Sequence, residues 1–197
     1  MISRVGAVDL EQASDEVKGM LAASRTVFGV IPNMVRVMAA SPVVLRGYVQ
    51  FVTALAQGRL SARLREQIAL AVAEANASQY CLSAHTAIGA DVGLDEAELA
   101  SARLAIGLDP KSDAALRFVR ATVDRRGELT DDEFIAVRRA GFGDEEIVEI
   151  LANVCVNILT NYLNKATQIE IDFPITGIAI SPPGRRPWER RGKRDPT

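Results

Sequence analysis

Apolar residues recur every three or four positions along most of this 197-residue chain, the spacing that places them on one face of a helix. Each such stretch is bracketed by residues that favour helix ends. Ser41-Pro42 is the clearest start, because it places a capping serine before a proline at the first helical position. In the first half of the chain the pattern predicts helices over about 14–27, 33–40, 42–57, 61–74 and 79–90.

The second half of the chain continues the helical pattern. The longest helix is predicted from just after Asp144 to about Gln168. No convincing pair of strands is present, so the sequence predicts an all-α bundle. Two residue pairs have the spacing of a capping box, and two glycines are typical of helix ends: Asp95–Glu98, Thr130–Glu133, Gly127 and Gly141.

A short interruption separates two of the predicted helices. Asn76, Ala77 and Ser78 favour caps and turns rather than helix interiors. We therefore expect a new helix to begin at about Gln79, which places Cys81 in its first turn.

The composition fits one soluble globular domain. A chain of 197 residues is long enough for one buried core and short for two. Hydrophobic residues make up 48% and charged residues 24%, whereas aromatic residues make up only 5%. We expect the core to consist mainly of Ala, Leu, Ile and Val, in a domain over 1–175 followed by a C-terminal tail over 176–197.

Charge and cysteine content exclude several classes of protein. The net charge is −2, and the basic stretch 185–197 contributes +4, which leaves −6 on the body and makes a nucleic-acid surface there improbable. Two cysteines 74 positions apart form neither a disulfide framework nor a zinc-ligand set. No cationic leader and no uninterrupted apolar run of about 18 residues is present, so we predict no membrane association and a reducing cytoplasm.

The C-terminal region changes character. Residues 169–181 alternate loosely and contain Pro174 and Gly177, which indicates an extended segment. The following stretch is rich in proline and arginine, a composition that does not fold alone. We interpret this tail as a segment that lies along a neighbouring subunit of a homo-oligomer, with Trp188 as its anchor.

The only histidine, His85, follows Cys81 by four residues, the separation that places two side chains on one helix face. Random placement gives such a pairing in only about 4% of cases for a chain with two cysteines. A helix N-terminus and a neighbouring imidazole both favour a thiolate, so the pair predicts a nucleophile and its base. Such a thiolate can attack a peroxide oxygen and become a sulfenic acid.

A structural interpretation of these residues stays open. Cys81 can be a small buried hydrophobe, with His85 on the helix surface. Glu66, on the preceding predicted helix, reaches the Cys–His pair if the two helices pack together. It can equally be a solvated residue beside Arg63 and Arg65.

The run from Leu64 to Thr86 resembles the core motif of the carboxymuconolactone decarboxylase superfamily, close to its alkylhydroperoxidase D type. The family pattern is a glutamate, eleven intervening residues and then Cys-x-x-Cys-x-x-x-His. Glu66, Cys81 and His85 match the glutamate, the second cysteine and the histidine. Three further stretches resemble the second half of peroxidase-related members, so that the resemblance covers about 10–175: residues 141–144, 153–164 and 172–174.

The resemblance implies an all-helical bundle of the alkylhydroperoxidase D-like type, in homo-oligomers from dimers to trimers or hexamers. It also implies a thiol-dependent hydroperoxidase that needs no metal or other cofactor. In the implied mechanism Cys81 attacks the peroxide, Glu66 and His85 relay protons, and the first cysteine resolves the sulfenic acid as a disulfide. Ser78 stands at the position of that first cysteine, and a serine cannot form a disulfide. Tyr80, beside the thiol, is expected either to line the pocket or to pack in the core.

Three consequences of the serine are open. Cys81 can act as a one-cysteine peroxidase whose sulfenic acid is reduced by an external thiol. Cys155 can resolve it if the fold brings the two Cα atoms within about 7 Å, although its apolar surroundings in the sequence favour buried packing. Redox chemistry can also have been lost altogether.

We therefore predict a hydroperoxidase-like oxidoreductase of the antioxidant type, acting on a small hydroperoxide with an external thiol. One alternative is an acid–base enzyme of the decarboxylase type on a small lactone or carboxylate, in which Glu66 and His85 shuttle protons. That substrate favours an arginine clamp, for which Arg63 and Arg65 are candidates by proximity. Another alternative is a non-redox oligomeric binding protein. Three asparagines at helical spacing are expected to face either the same cavity or a subunit contact: Asn157, Asn161 and Asn164.

Overall fold

The computed structural model describes residues 3–179, apart from the side chains of residues 26–28. Within that range the chain forms nine helices and no strand, which confirms the predicted all-α bundle. The helices are α1 (Asp15–Phe28), α2 (Asn33–Met38), α3 (Pro42–Ala56), α4 (Ala62–Ala75), α5 (Gln79–Asp91), α6 (Glu96–Arg103), α7 (Pro110–Asp124), α8 (Asp131–Arg139) and α9 (Asp144–Thr167).

Local capping explains most of these boundaries. The Ser61 hydroxyl accepts a hydrogen bond from the Leu64 N–H (3.2 Å), which begins α4. Asp95 and Glu98 form the predicted reciprocal capping box of α6, with bonds of 2.9 and 3.0 Å. The start of α7 was not predicted, although Asp109 caps it by accepting from two backbone N–H groups.

Helix α4 is the centre of the bundle. It packs against α5, α6, α7 and α9, and every residue over 67–74 is buried. Most of these are alanine, leucine, isoleucine or valine, as the low aromatic content predicted. Glu66 lies just before this buried run, so the central helix of the bundle carries it.

The turn between α4 and α5 is held by α9. Ala77 adopts a left-handed conformation (φ 49°), which residues with a Cβ rarely occupy. Asn76 stabilises it from the preceding position, because its side chain donates to Asn161 (3.1 Å) and its carbonyl accepts from Lys165 (2.6 Å). The turn makes Ser78 the N-cap of α5, and Cys81 is the third residue of that helix.

The loop that leads into α4 is fixed by a single carboxylate. Glu149 on α9 accepts hydrogen bonds from the backbone N–H groups of Arg59 (2.8 Å) and Leu60 (3.1 Å). A Cβ on Gly58 would lie 2.5 Å from an oxygen of that carboxylate. Only glycine therefore fits at this position without displacing the Glu149 side chain.

Helix α9 is long and apolar enough to span a membrane, by length and composition alone. It packs against α3, α4, α5 and α7, however, and one of its faces carries buried polar residues. The buried polar side chains include Asn153, Asn157 and Asn161. α9 is therefore packed into the bundle along the face that carries these residues.

The described chain beyond α9 is extended and unpaired, as predicted. Tyr80 donates to Asp172 (2.7 Å), and the Arg103 side chain donates to the carbonyl of Gly177 (2.6 Å). The Ala179 N–H donates to Glu74 (2.6 Å), so residues 176–179 pack against helices of the same protomer. The subunit-clasping role was predicted for residues 176–197, and residues 180–197 of that tail lie outside the described range.

Candidate active site

Glu66 and His85 form the polar centre of the site. The carboxylate oxygen Oε2 lies 2.7 Å from His85 Nδ1, and both side chains are about one-fifth exposed. This bond occupies one ring nitrogen and leaves Nε2 as the other proton-carrying position. The described residues contain no group of three or more His, Cys, Asp or Glu side chains that could hold a metal ion.

Cys81 is buried, with 2% of its surface exposed, and its thiol contacts α9. The Asn164 side-chain amide donates to Sγ over 3.0 Å. Thr160 Oγ1 lies 3.9 Å from Sγ, in position to accept from the thiol, because its own hydroxyl donates to the Asn157 carbonyl (3.0 Å). The sulfur therefore has one donor and one acceptor beside it, which suits a group that alternates between thiol and thiolate.

Two adjoining cavities reach this centre. A cavity of about 410 Å³ is lined by Glu66 and His85, together with apolar side chains of α3 and α5. A small cavity of about 30 Å³, the volume of about one water molecule, is lined by Cys81. The two cavities lie side by side, because they share four wall residues: Tyr48, His85, Ile88 and Thr160.

Tyr48 on α3 belongs to the site and was not predicted. Burial raises the pKa of its phenol far above the ordinary value, and the negative charges of Cys81 and Glu66 raise it further. Tyr48 therefore stays protonated at the wall of the cavity. A tyrosine in an apolar helix has no sequence signal that distinguishes this role from packing.

Tyr80 has both of the roles that the sequence left open. It lines the cavity beside Cys81, and its hydroxyl donates to Asp172 (2.7 Å) while accepting from the Met34 N–H (3.1 Å). Its ring meets that of Phe173 edge to face, with centroids 5.9 Å apart. Burial raises the pKa of the Tyr80 phenol far above its ordinary value, opposed by the Met34 bond and reinforced by Asp172.

Ser78 is 1% exposed, and its hydroxyl has no hydrogen-bond partner among the described residues. Its side chain does not cap α5 either, so its position at the cap rests on the backbone alone. No hydrogen bond among the described residues therefore explains why a serine stands at the position of the first cysteine of the family motif.

The asparagines of α9 divide between different surroundings. Asn153 and Asn157 line the large cavity, whereas Asn164 contacts the sulfur of Cys81. Asn161 faces away from both, since its side-chain oxygen accepts from Asn76. The expectation that Asn157, Asn161 and Asn164 share one cavity is therefore met only in part.

Cys155 is exposed, which corrects the expectation that it is buried packing. At about 100° per residue it lies about 140° around α9 from Thr160 and about 180° from Asn164, the two residues that contact Cys81. It lines a separate cavity of about 620 Å³ with residues of α7 and α8. Cys155 therefore cannot resolve Cys81 within one chain without a rearrangement of the bundle.

The two arginines near Glu66 lie in different surroundings. Arg63 is exposed and pairs with Glu98, while it also donates to the carbonyl of Gly93. Arg65 is half-buried and lines the large cavity together with Glu66 and His85. Of the two candidates for an anion clamp, the structure brings only Arg65 to the site.

Comparison with known proteins places these features in a wider group. Residues 42–124 match the sequence model of the carboxymuconolactone decarboxylase family. The chain is similar to the structure of a peroxidase-related protein from Ralstonia eutropha, described as an alkylhydroperoxidase AhpD core, with a TM-score of 0.79 and 25% identity over 87% of this chain and 93% of that one.

Two further solved structures share the fold. A peroxidase-related protein from Silicibacter sp. gives a TM-score of 0.73 at 23% identity, covering 86% of this chain and 95% of that one. A debrominase in complex with 2,3,4-tribromopyrrole gives 0.76 at 19% identity, covering 87% and 93%. A comparison with curated proteins gives no significant match.

Proposed function

Because this chain belongs to the carboxymuconolactone decarboxylase superfamily, in its alkylhydroperoxidase D-like branch, we propose that it is a thiol-dependent hydroperoxidase with Cys81 as its nucleophile. One observation carries the proposal: the Cys81 thiol faces a small cavity that also contacts His85, and His85 is bonded to Glu66 at 2.7 Å. A nucleophile, a base and a group that orients the base are the parts that such chemistry requires.

The oxidation step consumes one proton. The Cys81 thiolate attacks the terminal oxygen of ROOH, the O–O bond breaks, and Cys81 becomes a sulfenic acid while the peroxide is reduced to ROH. The leaving alkoxide takes its proton from His85, which lines the cavity at the sulfur. That proton comes from the thiol: before the attack His85 takes it from Cys81, and Glu66 stabilises the imidazolium that forms.

The reductive half of the cycle needs thiols from outside the chain. Ser78 cannot form a disulfide, and Cys155 lies on another face of α9. A small external thiol attacks the sulfenic acid of Cys81, which gives a mixed disulfide and water. A second thiol then releases Cys81 and leaves with the first as a disulfide.

A reducing compartment fits this cycle, because the reductant is a free thiol. The proposal accordingly places the protein in the cytoplasm, as a homo-oligomer of the kind implied by the family resemblance. Its other partners are small molecules.

Reductive dehalogenation is a second candidate, favoured by the similarity in fold to a debrominase. That reaction also suits one cysteine with external thiols: an aryl bromide and two thiols give the arene, a disulfide and HBr. The 410 Å³ cavity lies within the range of small-molecule sites, about 300–1,000 Å³. Release of bromide from 2,3,4-tribromopyrrole tests it directly.

The deciding experiment for the hydroperoxidase uses one equivalent of cumene hydroperoxide followed by dimedone, with the adducts located by mass spectrometry. We expect an adduct on Cys81 in the wild-type protein and in Cys155→Ser, and none at this position in Cys81→Ser. Glu66→Gln should slow the oxidation by about 100-fold or more, since it removes the carboxylate that orients the base. A Cys81 that resists the hydroperoxide contradicts the proposal.

The same variants test the acid–base alternative. A decarboxylase would keep its turnover in Cys81→Ser and lose it in Glu66→Gln, because the thiol has no part in that reaction. Turnover of a lactone acid that is independent of Cys81 would therefore replace the hydroperoxidase assignment.

A further inference from the structure

We propose that the 410 Å³ cavity selects substrates that carry a carboxylate, and that Arg65 binds this group. The inference rests on the proposed hydroperoxidase function and names its substrate class: organic hydroperoxides with an anionic end. The reacting end lies at Cys81, and the anion lies at the guanidinium.

Arg65 is a cation without an anionic partner inside the described part of the chain. Its Nη1 donates to the Leu60 carbonyl over 2.5 Å, and no carboxylate between residues 3 and 179 pairs with it. Arg63 shows the contrast, because it lies on the same helix and binds Glu98. A half-buried guanidinium that faces a cavity gains most from an anion that enters from outside.

Neither carboxylate in the wall of this cavity forms an ion pair with Arg65. Glu66 is the next residue of α4, but neighbouring positions on a helix point about 100° apart, and its carboxylate is bonded to His85. Asp91, the other acidic residue in the wall, is exposed and solvated. Arg65 is therefore the one charged group of the wall that remains available to a ligand carboxylate.

The rest of the wall explains why the ligand is organic. Apart from its polar groups the cavity is lined by apolar side chains, among them Val52, Leu55 and Ile88. Its volume of about 410 Å³ greatly exceeds what hydrogen peroxide fills, whereas the 30 Å³ next to Cys81 admits only a peroxide group. An apolar body with a hydroperoxide at one end and a carboxylate elsewhere matches this distribution.

Two probes that share the ring and the reacting group differ only in the charge of a carboxylate. They are cumene hydroperoxide and its para-carboxylate derivative. The readout is the ratio of their second-order rate constants for oxidation of Cys81, measured at low salt on one protein sample. A ratio cancels any loss of folded protein in a variant, including a loss caused by the missing bond to Leu60. In the wild-type protein we expect the carboxylate probe to react faster by about 10-fold or more, since hydrogen bonds between two charged groups are stronger than neutral ones.

Variants of Arg65 and Arg63 then test which residue causes the preference for the carboxylate probe. Arg65→Ala should bring the ratio close to one, and Arg65→Lys should keep part of it, because lysine retains the charge but not the two-pronged geometry. Arg63→Ala is the matched control and should leave the ratio unchanged. A preference that survives Arg65→Ala, or no preference in the wild-type protein, overturns the inference.

A binding measurement separates this inference from the proposed reaction. The alcohols that correspond to the two probes bind without chemistry, and their affinities can be compared by calorimetry. If neither hydroperoxide oxidises Cys81, the hydroperoxidase assignment fails, while tighter binding of the carboxylated alcohol that is lost in Arg65→Ala still supports the anion site. Equal affinities of the two alcohols for the wild-type protein count against it.

Discussion

Asn164 donates a hydrogen bond to the sulfur of Cys81 across 3.0 Å, although the two residues lie 83 positions apart in the sequence. The bond joins the first turn of α5 to the C-terminal part of α9. It gives the buried sulfur a polar partner that persists when the thiol loses its proton. The oxygen of the same amide has no partner among the described residues, so the amide is held chiefly through its contact with the sulfur.

We expect Asn164→Leu to slow alkylation of Cys81 at pH 7 by about 10-fold or more, because hydrogen bonds to charged groups contribute about 1.5–3 kcal/mol. Thr160→Val is the comparison, since that hydroxyl lies at 3.9 Å and is expected to matter less. The rates are measured with iodoacetamide in a Cys155→Ser background. Equal rates in the wild-type protein and Asn164→Leu would show that the amide has no influence on the thiolate.

The exposed position of Cys155 predicts the labelling order of the two thiols. A maleimide reagent should modify Cys155 first and Cys81 much later, because only Cys155 is exposed. Peroxide should produce no disulfide between the two cysteines within one chain. Peptide mapping after brief labelling checks the order, and a Cys81–Cys155 disulfide in monomeric protein would contradict the geometry described above.

Alkaline pH should destabilise the fold through its two buried tyrosines. Burial raises the pKa of Tyr48 and of Tyr80 above 10.0, the ordinary value that applies in the unfolded chain. Their contribution to stability is therefore complete below pH 10 and is lost as pH rises toward the folded values. The free energy of unfolding, measured with urea between pH 8 and pH 11, should show this loss. Its slope against pH should be shallower in Tyr48→Phe. Tyr162→Phe, at a position that is 56% exposed, is the control and should leave the slope unchanged.

Two glycines, one within α3 and one just after it, should respond oppositely to alanine. Gly58→Ala places its Cβ 2.5 Å from a Glu149 oxygen and disrupts the bonds to Arg59 and Leu60, so we expect a loss of about 1–3 kcal/mol in the free energy of unfolding. Gly47, within α3, has no atom within 4 Å of the position that a Cβ would occupy. Gly47→Ala should therefore stabilise the protein by about 0.5–1 kcal/mol. Chemical denaturation of both variants tests the difference.

The features that could be predicted from the sequence are those decided by local physics. Ser41, Asp95 and Thr130 are the N-caps of α3, α6 and α8 as predicted, because capping depends on residues only a turn apart. The pairing of Glu66 with His85 followed from one motif on two consecutive helices. The family resemblance is confirmed by the family match and by the similar solved structures.

The remaining features depend on how distant elements pack. Periodicity identifies an apolar stretch of α9, but not which of its sides meets α5, and Cys155 was therefore expected to be buried when it is exposed. Tyr48 enters the site only because α3 packs beside α9. The spacing of Asn153, Asn157, Thr160 and Asn164 was the available signal, since polar residues at helical intervals on an apolar helix indicate a buried polar face.

The bond from Tyr80 to Asp172 also sets an order of events during synthesis. Tyr80 is adjacent in sequence to Cys81, whereas Asp172 follows α9. A nascent chain in which α1 to α8 have left the ribosome still lacks the α9 amide beside the sulfur and the carboxylate that fixes this tyrosine. The Cys81 thiol therefore acquires its complete surroundings only after residue 172 has left the ribosome, and a product that terminates before α9 lacks them.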